Sequence, residues 1–139
     1  MWLLYAFLSA VTAALVAVFG KLGLAKIDTT LATTIRAVIM AAFLIIIALG
    51  LKKFEGFSVG AWSSRQWLYI VAAGIAGALS WLFYFTALKT GLASRVAAID
   101  RLSVVFVFIF ALLFLGETLK LKSAIGAVLI AVGAVLMVI

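Results

Sequence analysis

The chain contains no cysteine, no histidine and no proline, and only four acidic residues: Asp28, Glu55, Asp100 and Glu117. Without cysteine, no disulfide holds the fold together. Without histidine or cysteine, and with so few carboxylates, metal sites and nucleophilic triads have almost nothing to be built from. These absences argue against an enzyme, and no cofactor is expected. Eleven lysines and arginines give a formal net charge of +7. They are spread along the chain instead of forming a basic stripe, so a nucleic-acid partner is not expected either.

What the chain has in abundance is apolar surface. Of its 139 residues, 69% are hydrophobic, and the mean hydropathy is +1.44. A water-soluble domain of this length keeps roughly half its residues polar, because its surface faces water. Most of this chain must therefore be solvated by lipid. The start, MWLLYAFLSAVTAALVAVFG, lacks the basic n-region of a cleaved signal peptide and reads as a first membrane helix.

Apolar runs of spanning length fall at approximately 2–20, 30–50, 67–88, 94–115 and 122–139. None alternates in polarity, so a β-barrel is excluded and helix is the remaining way to cross. The expected architecture is an all-α integral membrane protein of five helices in one domain, 1–139, lying in the cell (cytoplasmic or inner) membrane. Asp28-Thr29-Thr30 is expected to cap the second helix. In the longest connection, Phe54, Phe57, Trp62 and Trp67 are expected at headgroup level.

Loop charges are nearly balanced. One face receives Lys52, Lys53, Arg65, Lys120 and Lys122; the other receives Lys21, Lys26, Lys89 and Arg95. A difference of one cation gives the positive-inside rule little to act on. Either a single weakly biased orientation or dual topology fits this count.

The run 86-TALKTGLASRVAAI, followed by 112-LLFLGETL and 126-GAVLIAVGAVLMV, resembles the EamA domain of the drug/metabolite transporter superfamily. Typical members pair two five-helix halves in inverted orientation, and this chain supplies one half. A family proline before the Val-Phe of the fourth helix is absent; Leu102-Ser103-Val104-Val105-Phe106 stands there. The resemblance implies a transporter of a small-molecule substrate, with its site where oppositely oriented units meet. An antiparallel homodimer would supply that arrangement, as would a second half-size subunit. In the last helix, Gly126, Ala127, Gly133 and Ala134 are candidates for the dimer interface, because small residues let helices approach closely. Their spacing resembles the dimerising last helix of the small multidrug resistance proteins. The same small residues also suit packing within one chain.

The opening of the fourth span, 93-ASRVAAIDRLS, carries Asp100 and Arg101 inside an apolar run. Each charge at a helix centre costs about 2.5 to 3.5 kcal/mol by insertion scales. Arg101 is adjacent and points about 100° away, so it is not the obvious partner of Asp100. Arg36 lies at similar depth in the second helix. Arg36, Asp100 and Arg101 are expected to form one polar cluster, with Ser103 beside it and Trp81 and Tyr84 on a cavity wall. Their sign favours an anionic or zwitterionic metabolite, and the first helix lacks the embedded acid of cation-exporting relatives. Proton coupling through Asp100 is an option, and a purely structural Arg–Asp lock is the rival. Gly74, Gly77, Trp81, Tyr84 and Leu88 share one face of the third helix. Ser9 and Thr12 are weaker hydroxyl candidates, and Glu117 is expected as a boundary residue pairing Lys120 and Lys122. Two other functions fit these residues: a subunit of a heteromeric lipid-carrier flippase, its arginines meeting a lipid phosphate, and a membrane scaffold that transports nothing.

Overall fold

A computed structural model describes residues 1–116, 118 and 120–139. Every regular element among them is helical. The elements are α1 (Trp2–Gly23), α2 (Thr29–Gly50), α3 (Ser64–Thr90), α4 (Ala93–Leu115) and α5 (Leu121–Leu136). The first four are long and apolar enough to cross a bilayer. The 22 residues of α2 reach about 33 Å at 1.5 Å each, matching a hydrocarbon core of roughly 30 Å. The last helix is shorter than expected: its 16 residues reach about 24 Å, and its ladder gives way to a turn at Met137. Glu117, expected as a boundary residue, lies outside the described residues.

Helix starts follow local side-chain chemistry. Asp28 caps α2, its carboxylate accepting from the Leu31 N–H at 2.9 Å. At α3, Gln66 Oε1 accepts from the Ser63 N–H at 2.8 Å while Ser63 Oγ accepts from the Gln66 N–H at 3.3 Å. This reciprocal capping box satisfies two of the orphan donors of a helix start. It is why α3 begins at Ser64, three residues before the apolar run at 67. Gly116 ends α4 in the left-handed region at φ 65°, where a residue without a Cβ is unstrained.

α4 is irregular in its middle, although the backbone stays right-handed helical at Arg101 and Leu102. It is α-helical over Ala93–Asp100 and again over Ser103–Phe110, and it widens to a π-helical turn at Ala111–Leu115. At the break, Leu102 N–H donates to Ile99 and Val104 N–H to Arg101, three residues back, at 2.9 and 3.1 Å. Val104 would reach Asp100 in a regular helix; here that carbonyl is released from the regular ladder. The interruption occurs with no proline or glycine at the position.

Backbone packing divides the chain into two compact units, Met1–Leu22 with Ala87–Ile139, and Gly23–Thr86. In the first, α5 packs on α4, and the buried residues are mostly alanines: Ala17, Ala98, Ala127 and Ala134, with Leu88. In the second, Leu24, Thr29 and Phe85 are buried. Large apolar side chains lie outward instead, Phe114 at 79% and Leu129 at 65% exposure. Small inside and large outside is the distribution expected when lipid is the solvent and close helix approach supplies the packing.

Phe54, Phe57 and Trp62 of the connection between α2 and α3 and Trp67 in the first turn of α3 form a continuous chain of ring contacts, with centroids 6.1, 5.5 and 5.1 Å apart in turn. The first two contacts are edge-to-face, the arrangement favoured by the ring quadrupole. Lys52 and Glu55 pair nearby at 3.5 Å, both well exposed, and contribute little to stability.

Candidate functional site

Arg36 sits eight residues beyond the Asp28 cap, about 12 Å along α2, in an otherwise apolar turn. The two acids of its unit are engaged elsewhere, Asp28 at the cap and Glu55 with Lys52. Its guanidinium instead lies on aromatic faces of α3. The central carbon is 3.6 Å from the Trp81 ring centroid and 4.8 Å from that of Phe85.

Trp81 and Phe85 are four residues apart and so share a helix face. Their rings stack with centroids 5.6 Å apart and planes at 23°. Tyr84 stands edge-on to both, at 6.0 and 5.8 Å. Phe85 is 3% exposed, which fixes its ring. The result is an aromatic surface with the guanidinium carbon close over it.

The ring faces return about 0.5–2 kcal/mol for such a cation, against an insertion cost of about 2.5–3.5 kcal/mol. They also offer no acceptor. Arg36 Nε is buried and makes no hydrogen bond. An unsatisfied buried donor costs about 1–3 kcal/mol, more when charged. The Arg36 guanidinium is thus seated on aromatic rings while its Nε lacks an acceptor.

The expected site residues separate between the units. Arg36, Trp81 and Tyr84 come together in Gly23–Thr86, joined by Phe85, which the sequence reading passed over. Asp100, Arg101 and Ser103 flank the α4 break in the other unit; Asp100 is half-buried, while Arg101 and Ser103 are exposed. Of the weaker candidates, the Thr12 hydroxyl donates to Leu8 O and Ser9 O at 2.9 and 3.0 Å, so its own helix engages it. Among the described residues no group of His, Cys, Asp or Glu is arranged to hold a metal ion.

The small residues of α5 divide by face. Ala127 and Ala134 are buried within the chain, whereas a Cβ added to Gly126 or Gly133 would meet open space. Of these four residues, the two glycines are the ones beside open space.

A second missed residue is Lys21. Its ammonium donates to the main-chain carbonyls of Leu88 at 2.6 Å, Gly91 at 2.8 Å and Lys89 at 3.3 Å. These include carbonyls at the C-terminal end of α3, which lack partners in the helix and carry partial negative charge. The following turn is tight: Gly91 N–H reaches Ala87 O at 2.8 Å, and a Cβ on Gly91 would lie 2.7 Å from Val96 Cγ2. The segment ALKTGLAS is thus a close helix–helix turn, with glycine where no side chain fits and a lysine gathering its carbonyls.

No solved structure matches the chain. A protein of Sinorhizobium sp. described as an uncharacterized transporter in the cobO 3′ region is 44% identical over 138 residues, covering 99% of this chain and 96% of that one. The EamA-like transporter family model matches residues 1–139. An all-helical chain whose surface suits lipid, with an unsatisfied arginine inside a span, is a multi-pass membrane protein of the transporter class rather than an enzyme, and it belongs to the EamA-like transporter family.

Proposed function

We propose that the chain is a half-size drug/metabolite-type transporter moving a small anionic or zwitterionic metabolite by alternating access across the cytoplasmic membrane. The observation that carries this reading is Arg36 itself: a guanidinium inside a span, held on Trp81 and Phe85, with Nε unpartnered. Ionisable groups inside membrane spans are rare and costly, and they commonly mark substrate or proton pathways. Asp100, Arg101 and Ser103 are proposed as substrate or coupling residues of the other unit. They flank a 3₁₀-like tightening of α4, and such a stretch inside a helix often marks a functional hinge.

The chain acts as a single EamA-like domain, 1–139, in an antiparallel homodimer of dual topology. Nearly equal loop charges allow both insertions, and two opposed copies reproduce the inverted halves of longer family members. The glycine side of α5, Gly126 and Gly133, is the surface on which the copies meet.

The test is solute counterflow in proteoliposomes with a labelled pool of organic acids and amino acids. Uptake that is saturable, and is abolished by Arg36→Gln, supports the reading. Uptake of lipophilic cations alone overturns the substrate class. Stoichiometric co-purification of a second small membrane protein would move the chain to the flippase-subunit reading. Full gradient-driven transport by Asp100→Asn removes Asp100 from coupling.

A further inference from the structure

We propose that Trp81 and Phe85 act as positioning residues that hold the Arg36 guanidinium flat, so that its Nε-bearing edge receives a carboxylate of the transported molecule. This deepens the transporter reading and rests on it. The guanidinium has two faces and three edges. Trp81, at 3.6 Å, covers a face, and Phe85 extends the same platform. What remains for a ligand is the plane of the group. The edge that carries Nε is buried and without an acceptor.

That geometry discriminates between ligand classes. A carboxylate is planar, and its two oxygens accept from two parallel N–H groups in the guanidinium plane. A phosphate also binds arginine in pairs, but it is tetrahedral and keeps oxygens out of that plane. On the covered side those oxygens would meet the electron-rich face of Trp81, which repels them. A quaternary ammonium is excluded by like charge, since Arg36 already occupies the aromatic surface a cation would use. Tyr84, edge-on to both rings, braces the platform.

The chain has four tryptophans, so replacing Trp2, Trp62 and Trp67 by Phe leaves Trp81 as the sole reporter. This variant is placed in lipid nanodiscs at constant ionic strength, and Trp81 emission is followed against propionate, ethylphosphonate and tetraethylammonium. A saturable response to propionate is expected, stronger than to ethylphosphonate. Arg36→Lys, which keeps the charge but loses the planar fork, should weaken it roughly tenfold, the scale of one charge-assisted hydrogen bond. Phe85→Leu, checked for folding by gel filtration and circular dichroism, should narrow the preference for propionate over ethylphosphonate, which general loosening would not do.

Equal or stronger response to ethylphosphonate overturns the carboxylate assignment. A response to tetraethylammonium alone, or to none of the three, overturns the proposal. Counterflow separates this from failure of the transporter reading. If Arg36→Lys abolishes uptake while propionate leaves Trp81 unchanged, the transporter stands and the carboxylate edge falls. If propionate binds but no solute moves, the reverse holds.

Discussion

Lys21 and Leu88 are 67 residues apart in sequence, and the ammonium of one donates to the main-chain carbonyl of the other at 2.6 Å. The same ammonium reaches Gly91 O at 2.8 Å. A protonated amine at a helix C-terminus satisfies carbonyls that the helix cannot and offsets their partial negative charge. Lys21→Met keeps the apolar stem and removes the donors. Its expected effect is a loss of about 1.5–3 kcal/mol in stability, the range for hydrogen bonds to a charged group. Thermal unfolding in detergent measures it, and an unchanged midpoint would show that water replaces the ammonium without loss.

The turn that Lys21 ties together makes its own demand. At Gly91 a Cβ would sit 2.7 Å from Val96 Cγ2 and 3.1 Å from Ala87 O. Gly91→Ala should therefore destabilise by about 1–3 kcal/mol, the usual cost of overpacking a close contact. The companion change Val96→Ala removes the nearer clash but not the carbonyl. The double variant should recover part of the loss, and a double-mutant cycle on thermal midpoints reads the coupling. Strict additivity would mean that the backbone at Gly91, and not Val96, carries the restriction.

The two sides of α5 should respond oppositely to bulk. Ala127 and Ala134 are buried within the chain, so Ala134→Leu is expected to lower stability by about 1–3 kcal/mol through overpacking. Gly126 and Gly133 face open space, so Gly133→Leu should fold normally. If copies associate through the glycine side, Gly133→Leu shifts the protein from dimer to monomer in analytical ultracentrifugation, while Ala127→Gly does not. Dimer retained in both Gly126→Leu and Gly133→Leu removes this surface from the interface.

The spans were legible because an apolar run of about twenty residues in lipid has no alternative to helix. The Asp28 cap was legible for the same local reason, an acceptor at the right step before the run. Ser63 and Gln66 carried an equally readable capping box, overlooked because hydropathy alone placed the start of the third helix at 67. Other features had no local signal. The break at Arg101–Leu102 lacks the proline or glycine that announces one. Lys21 finds its acceptors only through tertiary structure. Phe85 was readable in principle, four residues after Trp81, but the face drawn through Gly74, Gly77 and Tyr84 passed beside it. Arg36 was recognised as a buried cation from its place in the span; its aromatic seat required the neighbouring helix.

Orientation is the property on which the proposed dimer depends, and the chain offers a clean way to measure it. It contains no cysteine, so one cysteine introduced at Trp2 or at Val138 is the sole target for a membrane-impermeant thiol reagent. Where α5 crosses along with the four longer helices, the two positions lie on opposite sides of the membrane in any one copy. Because the lysine and arginine difference between the two faces is a single residue, each position is expected to label in part on intact cells and fully after permeabilisation. That result means copies insert both ways, as an antiparallel homodimer requires. Adding two lysines beside Lys52 and Lys53 should then drive nearly all copies into one orientation and abolish counterflow, since no opposed partner remains. Complete labelling at one position and none at the other would fix a single orientation. An inverted pair would then need a different half-size protein as its second member.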